Sequence, residues 1–470
     1  MKKVDFANDR IRTTILQTAV PMLFAQIFTL LYNIIDRIYI GRIPGEGTEA
    51  LGAVGLCFPV IILITGFSNM YGLGGAPLFS MSLGQKDRQK AGRILNTAFR
   101  LILITAALIL LLGELFSPLL LKVFGATDRE LVFASPYLRI YLIGTVFAMV
   151  TTGMNPFINA QGYSRIGMVT VVTGAVANLV LDPLFIFAFG MGVEGAAVAT
   201  VISQGLSAFL VLRYLRSGKN DFPLTKDKVS LTLTTKAGEK TRETYLPYAG
   251  QIVGLGMAPF IMQVTNALVT ISANSVLMSI GGASYVSVMT IISSVRQILD
   301  TPILAMTDGS SPTISFNYGA KRPDRVRKAM LMMSVMSIGY TVVIWALIEL
   351  FPGLFVGIFT ADTTLAAMAL RPLRLYFAAF IFQSLMYCGQ TVYKALGKKN
   401  RAIFFSLFRK VILVVPLTYV LPYAFGVGTD GVFIAEHASN FIGGSLCFAT
   451  MLLSVLPELK AMDQKDREGL

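Results

Sequence analysis

Charge is what this sequence has least of. Only 14% of its 470 residues are Asp, Glu, Lys or Arg, where a soluble domain carries roughly 25%. With 54% hydrophobic residues and a mean hydropathy of +0.66, this scarcity excludes a soluble enzyme and a disordered chain. The three cysteines, Cys57, Cys388 and Cys447, stand inside apolar runs with neither disulfide nor metal-ligand spacing. That excludes a secreted disulfide scaffold and reads them as small buried hydrophobes. Histidine occurs once, as His437, and no acidic cluster accompanies it, which argues against a membrane-embedded transferase or hydrolase. No Walker motif is present, against ATP-driven transport. Gly-Leu-Gly-Gly at 72–75 lacks the Lys-Ser/Thr ending and lies in an apolar run, where small residues permit close helix approach. The chain is expected not to be an enzyme and to need no cofactor.

Apolar runs long enough to cross ~30 Å of hydrocarbon recur at 14–40, 50–80, 94–121, 132–157, 165–189, 193–215, 246–275, 283–310, 327–352, 366–392, 402–425 and 430–455. None alternates with period two, so they are transmembrane helices rather than barrel strands. The first is too long for a signal-peptide core and lacks a small-residue cleavage site, so it is expected to remain as the first span. Forty basic residues against 26 acidic ones leave a net charge of +14. The excess gathers in alternate connections: 86–93, Arg165, 213–242, 321–328, 398–401 and the tails, whereas the other connections hold little beyond Arg42, Lys122, Arg129 and Arg371. Lys and Arg resist translocation, so both termini are expected in the cytoplasm. Charge spread over separate segments also argues against a nucleic-acid partner.

The two halves resemble each other. Pro77, Ser80, Gly84, Lys86, Ala160 and Gly162 match Pro312, Ser315, Gly319, Lys321, Ala395 and Gly397 at an offset of 235, and FGMGVEG at 189–195 matches FGVGTDG at 425–431 at 236. Halves with an even number of spans are parallel repeats, related by a pseudo-twofold axis along the membrane normal, a transporter layout. The expected fold is an all-α integral membrane protein of twelve transmembrane helices in two six-helix bundles. The expected divisions are 1–215 for the first bundle, 216–244 for a cytoplasmic linker, 245–455 for the second bundle and 456–470 for a cytoplasmic tail.

An ionisable group at mid-bilayer costs a few kcal/mol and asks for a partner or a role. Asp36 stands in span one after Tyr32 and Asn33, next to Arg37, which is able to snorkel outward. Asp182 lies deeper, in span five, followed by Pro183; Asn178 and Gly174 precede it at four-residue steps and share its face. Carboxylate, amide and freed carbonyl oxygens suit a proton or a small hard cation, while a polar pair that locks helix packing remains open. In the second half, Arg296 and Asp300 are four apart and able to pair along one face. Asp308 and Glu349 read as solvated near span ends. Glu436 and His437 lie in span twelve, with a pH-sensing or a packing role open to the histidine.

LYNIIDRIYIGRI with ALGAVGLCFPV, the segment from Pro77 to Gly84 with its repeat, and NLVLDPLFIFAFGMGVEGAAVATVISQ resemble the multidrug and toxic compound extrusion (MATE) family over essentially the whole chain, especially its MepA-like and DinF-like bacterial branches. That resemblance implies a secondary-active antiporter in a bacterial plasma (inner) membrane, expected as a monomer. It would export bulky, mostly cationic organic compounds in exchange for H⁺ or Na⁺. It also implies a cation site at Asp36, Asn178, Asp182 and Thr200, with Na⁺ placed at the first three. Tyr32, Asn33, Arg296, Asp300 and His437 are accessory polar candidates. The acids that another branch carries in spans seven and ten are absent here. The alternative is a lipid-linked oligosaccharide flippase, which needs a strongly cationic cavity; Arg139, Arg296, Arg374, Lys394, Arg409 and Lys410 bear on it. The remote alternative is the membrane transferase.

Overall fold

The computed structural model describes residues 3–124, 126–217, 222, 224, 232–234, 240–242, 246–360 and 362–467. The apolar runs fold as helices: α1 (Ile11–Gly41), α2 (Gly47–Gly84), α3 (Arg88–Val123), α4 (Asp128–Ile143), α5 (Thr145–Ala160), α6 (Ser164–Pro183) and α7 (Gly192–Arg216). The second half holds α8 (Leu246–Gly319), α9 (Pro323–Leu350), the short α10 (Pro352–Gly357), α11 (Thr363–Phe377), α12 (Phe380–Ala395), α13 (Lys399–Leu407), α14 (Val415–Ala424), α15 (Asp430–Ser439) and α16 (Ser445–Arg467). α8 is two spans, because Gly282 leaves the helix at φ 73°, a backbone that glycine adopts without a Cβ clash. The pairs α4–α5 and α11–α12 are single spans bent by 53° and 45°. π-helical segments continue α6 (Leu184–Ala188), join α13 to α14 (Phe408–Val414) and join α15 to α16 (Asn440–Gly444). Counted in this way, the helices fall on the twelve expected runs.

Chain ends of helices are satisfied locally. Asp87 accepts the Lys90 amide at 2.9 Å to start α3, and Asp362 accepts the Thr364 and Leu365 amides to start α11. Thr127 and Glu130 form a reciprocal capping box at α4. Outward, α3 shows Ile104, Leu108, Leu111, Leu115 and Leu119 at three- and four-residue spacing, all strongly exposed, an apolar stripe that faces lipid.

Two of the expected segments gain detail. Within the expected tail 456–470, α16 continues through Arg467; Glu458 accepts hydrogen bonds from Lys398 and the Tyr318 hydroxyl, and Arg327 donates to the Leu459 carbonyl. Residues 468–470 lie outside the described residues. The expected linker 216–244 lies mostly outside them too, but β1 (Thr232–Thr234) pairs antiparallel with β2 (Lys240–Arg242) there, Thr232 opposite Arg242.

The duplication is visible in the backbone. Lys86 and Lys321, 235 apart, share a left-handed conformation (φ 61° and 53°), and no other described non-glycine residue has a positive φ. Gly162 and Gly397 match at the same offset (φ 89° and 72°), while Gly190 with Gly426 and Gly192 with Gly428 match at 236.

The chain forms two compact units, Met1–Val4 with Phe24–Phe260 and Asp5–Leu23 with Ile261–Leu470. The first part of α1 thus belongs with the second half, and the first turns of α8 with the first half. Each assignment has a physical cause inside its own unit. In the second unit the Thr18 hydroxyl donates to the Gly309 carbonyl at 2.6 Å, and a Cβ on Gly309 would sit 2.7 Å from Ala19 Cα. Asn317 and Arg325 both donate to the Phe6 carbonyl at 3.0 Å. In the first unit Gly74, the repeat mate of Gly309, leaves room for Ile252 and Gly256 of α8. Small residues let these helices meet backbone to backbone. The first unit's core is centred on Phe79, Ile94, Leu95 and Phe157 and the second's on Leu277, Ile292, Phe377 and Phe433, all essentially dry.

Candidate functional site

Each unit encloses its own polar cluster. In the first, α6 carries Asn178 and Asp182 on one face, and both are buried. The Asn178 amide donates to Asp182 Oδ1 at 2.9 Å and reaches Thr200 Oγ1 of α7 at 3.4 Å. Gly174, one turn earlier, lets α6 press against α7, since any Cβ there would overlap the Ser207 hydroxyl. The π-helical turn begins directly after Pro183; such turns widen a helix and recur at functional sites.

Asp36 of α1 completes the cluster, its carboxyl within hydrogen-bond reach of that of Asp182. Among the described residues, Asp36 Oδ1, Asn178 Oδ1 and Asp182 Oδ2 are buried without a donor. Two carboxyl groups in contact offer only acceptors until a proton or a cation enters between them. The structure thus brings together Asp36, Asn178, Asp182 and Thr200. Tyr32 lies nearby, half-buried and within electrostatic range of both acids. Tyr137 and Tyr141 stack at 6.2 Å on the same side. Asn33 is exposed and donates to the Thr29 carbonyl at 2.8 Å, and Arg37 lies 4.5 Å over the Phe58 ring.

The second unit holds a larger network. Arg296 Nε meets Asp300 Oδ2 at 3.2 Å, and Arg296 Nη1 reaches the Tyr376 hydroxyl at 2.7 Å and Glu436 Oε1 at 3.4 Å. The Gln383 amide donates to both Asp300 oxygens at 2.7 and 2.9 Å, and the Tyr387 hydroxyl reaches Oδ2 at 3.3 Å. Arg409 and Lys410, adjacent in the π-helical segment, both reach Glu436 Oε1 at 3.1 Å. Arg409 also donates to Asn440, whose amide lies 3.4 Å from Gln383 Oε1. Gly443 makes room for this, since a Cβ there would meet the Arg409 stem at 3.0 Å. Lys410 and Glu436 are each 2% exposed. His437 stands apart, its Nδ1 3.3 Å from the Leu375 carbonyl.

The Arg296–Asp300 pair is therefore one edge of a five-charge network whose centre is Glu436. Spacing exposed only the pair within one helix. Arg409 and Lys410 did carry a signal, two adjacent cations inside an apolar run. The reading of Asp308 as solvated is corrected: its carboxylate lies 3.7 Å from Lys394, both side chains under one-fifth exposed, because it sits well inside α8 rather than at its end. Glu349 pairs with Arg374 at 3.9 Å, and Arg139 lies 4.0 Å from Glu114.

With the geometry in hand, comparison with known proteins gives a consistent result. The family model MatE matches residues 21–184 and 259–420. The multidrug export protein MepA of Staphylococcus aureus (strain N315) is 24% identical over 451 residues, covering 96% of this chain and 94% of that protein. MepA of Staphylococcus saprophyticus is 23% identical over 412 residues, 87% of each chain. Among solved structures, MATE in complex with MaD3S superposes with a TM-score of 0.88 at 22% identity, over 99% of both chains. An outward-facing multidrug resistance MATE family transporter of the MOP superfamily gives 0.86 at 22%, over 98% of this chain and 99% of that one.

Proposed function

Because the chain belongs to the MatE family, we propose that it is a secondary-active multidrug efflux antiporter that exports small organic compounds, mostly cationic, in exchange for a proton. It works in a bacterial plasma membrane with both termini in the cytoplasm, without a cofactor. The observation that carries this reading is the contact between the Asp36 and Asp182 carboxyls, each with a buried oxygen lacking a donor.

One proton held between the two groups supplies the missing donor to both and removes the repulsion of two charges in a dry site. Asn178, fixed between Asp182 and Thr200, orients the receiving oxygen. With the proton gone, the pair is a concentrated negative charge among the described residues of its unit's interior and draws a cationic compound. Proton and cationic compound then compete for one charge, and this mutual exclusion is what antiport requires. A second reading, Na⁺ coupling, is favoured by the three donorless oxygens on Asp36, Asn178 and Asp182, which are hard ligands.

The test is efflux of ethidium from proteoliposomes under a pH gradient and, separately, a Na⁺ gradient. The pH gradient is expected to drive efflux, and Asp36→Asn and Asp182→Asn each to abolish the coupling. Drive by Na⁺ alone would replace the proton with Na⁺ at the same oxygens. Coupled transport at wild-type rate in both variants would remove the site, and inertness under both gradients would favour the flippase.

A further inference from the structure

The second unit's network does not balance. Arg296, Arg409 and Lys410 bring three basic side chains and Asp300 and Glu436 two acidic ones, all in one hydrogen-bonded cluster. Lys394 and Asp308, by contrast, form a pair of one charge of each sign. A surplus basic group in a dry interior either gives up its proton or needs something of opposite sign beside it, and an arriving anion favours the protonated form.

An independent observation shows where that approach is open. A small cleft, deep enough for a single polar group and widening only at its mouth, lies within the second unit against this network. Arg409, Lys410, Gln390 and Ser406 line it, as do Met262 and Met386. Gln390 donates to the Ser406 hydroxyl at 3.0 Å, which holds that polar lining in place. Methionine side chains mould to apolar bodies of different shape. The two consecutive cations, Arg409 and Lys410, both lie in the π-helical segment and both line the cleft.

We propose that this cleft is an anion subsite: it takes the single negative group of an amphiphilic ligand, a carboxylate or sulfonate for instance, against Lys410 and Arg409, with the apolar body on Met262 and Met386. The negative group brings the network to three charges of each sign. If the efflux reading holds, the substrates include amphiphilic anions and zwitterions beside cations. Binding at the cleft is measured without transport, so the two readings fail separately.

The probe is dansylglycine, which carries one carboxylate on an aromatic body, with neutral dansylglycinamide as its control. Binding is followed by fluorescence anisotropy on the full chain in phosphatidylcholine nanodiscs. Dansylglycine is expected to bind saturably and about tenfold or more tighter than the amide, as a hydrogen bond to a charged group is worth. Lys410→Met should erase that preference and Lys410→Arg should keep it. The double variant Lys410→Met/Glu436→Gln restores a surplus of one positive charge and should recover most of the affinity, which separates charge balance from misfolding. Equal binding of acid and amide, unchanged affinity in Lys410→Met, or a double variant as weak as Lys410→Met would each overturn the proposal. Replacing part of the lipid by phosphatidylglycerol distinguishes the sources. Displacement of the probe assigns the anionic group to a lipid headgroup, and no displacement assigns it to a soluble amphiphile; both support an anion subsite.

Discussion

Glu436 is the single acceptor on which three cations converge, so replacing it should be the most damaging substitution in the second unit. Its Oε1 lies 3.1 Å from Arg409, 3.1 Å from Lys410 and 3.4 Å from Arg296. At an effective dielectric near 20, each such contact is worth about 5 kcal/mol of gross attraction, set against desolvation and against repulsion among the cations. Glu436→Gln removes all three attractions and leaves the repulsions. Breaking a buried pair in this way costs ~3–5 kcal/mol, which lowers the apparent Tm by roughly 6–20 °C for a unit of this size. Lys410→Met should behave differently. Glu436 keeps both guanidinium partners, the Met side chain fills a similar volume, and one source of repulsion disappears, so the cost should stay within about 1 kcal/mol. The double variant should be more stable than Glu436→Gln alone, because the charge left uncompensated is smaller. Fluorescence-detected size-exclusion chromatography after a heating series in detergent reads all three. Lys410→Met as unstable as Glu436→Gln would refute the reasoning, since the centre of the network would then not be the carboxylate.

Lys321→Gly should stabilise the chain by about 1 kcal/mol, raising the apparent Tm by a few degrees, because Lys321 holds a left-handed backbone at φ 53° that glycine adopts without the Cβ penalty; an unchanged or lower Tm would contradict this. Gly309→Val should lower stability by ~1–3 kcal/mol through overpacking, as its side chain would meet Ala19 Cα within α1, and the same heating series would show it; a variant as stable as wild type would mean that the two backbones part without cost.

The first unit's site was the more legible of the two. Asn178 and Asp182 are four residues apart in an apolar helix, so periodicity alone places them on one face, and each is costly enough in a membrane to draw notice. Asp36 drew notice for the same reason, and Thr200 came from the family resemblance rather than from any local signal. In the second unit the pairing of Arg296 with Asp300 was readable from i,i+4 spacing, but Gln383, Tyr376, Tyr387, Arg409, Lys410, Glu436 and Asn440 come from helical segments other than α8. Nothing in the spacing of Arg409 and Glu436, 27 residues apart, or of Gln383 and Asp300, 83 apart, announces a contact. Asp308 was misjudged for a related reason: the apolar run ends near 310, but the helix continues to Gly319, and Lys394 reaches Asp308 from another helix.

Hydropathy and offset matching carry the twelve spans, the duplication and the identity of the buried acids. These are local or linear properties: an apolar run crosses a bilayer because of its own length, and a repeat is a comparison of letters. Packing decided what letters cannot. The Asp5–Leu23 segment joins the second half because Gly309 admits Ala19 and because the Phe6 carbonyl meets Asn317 and Arg325. Packing also decided which of the few charges meet, and it leaves three cations around two carboxylates. The reason is physical: the energy of a buried charge depends on partners supplied by other helices, and only the folded chain sets their distances.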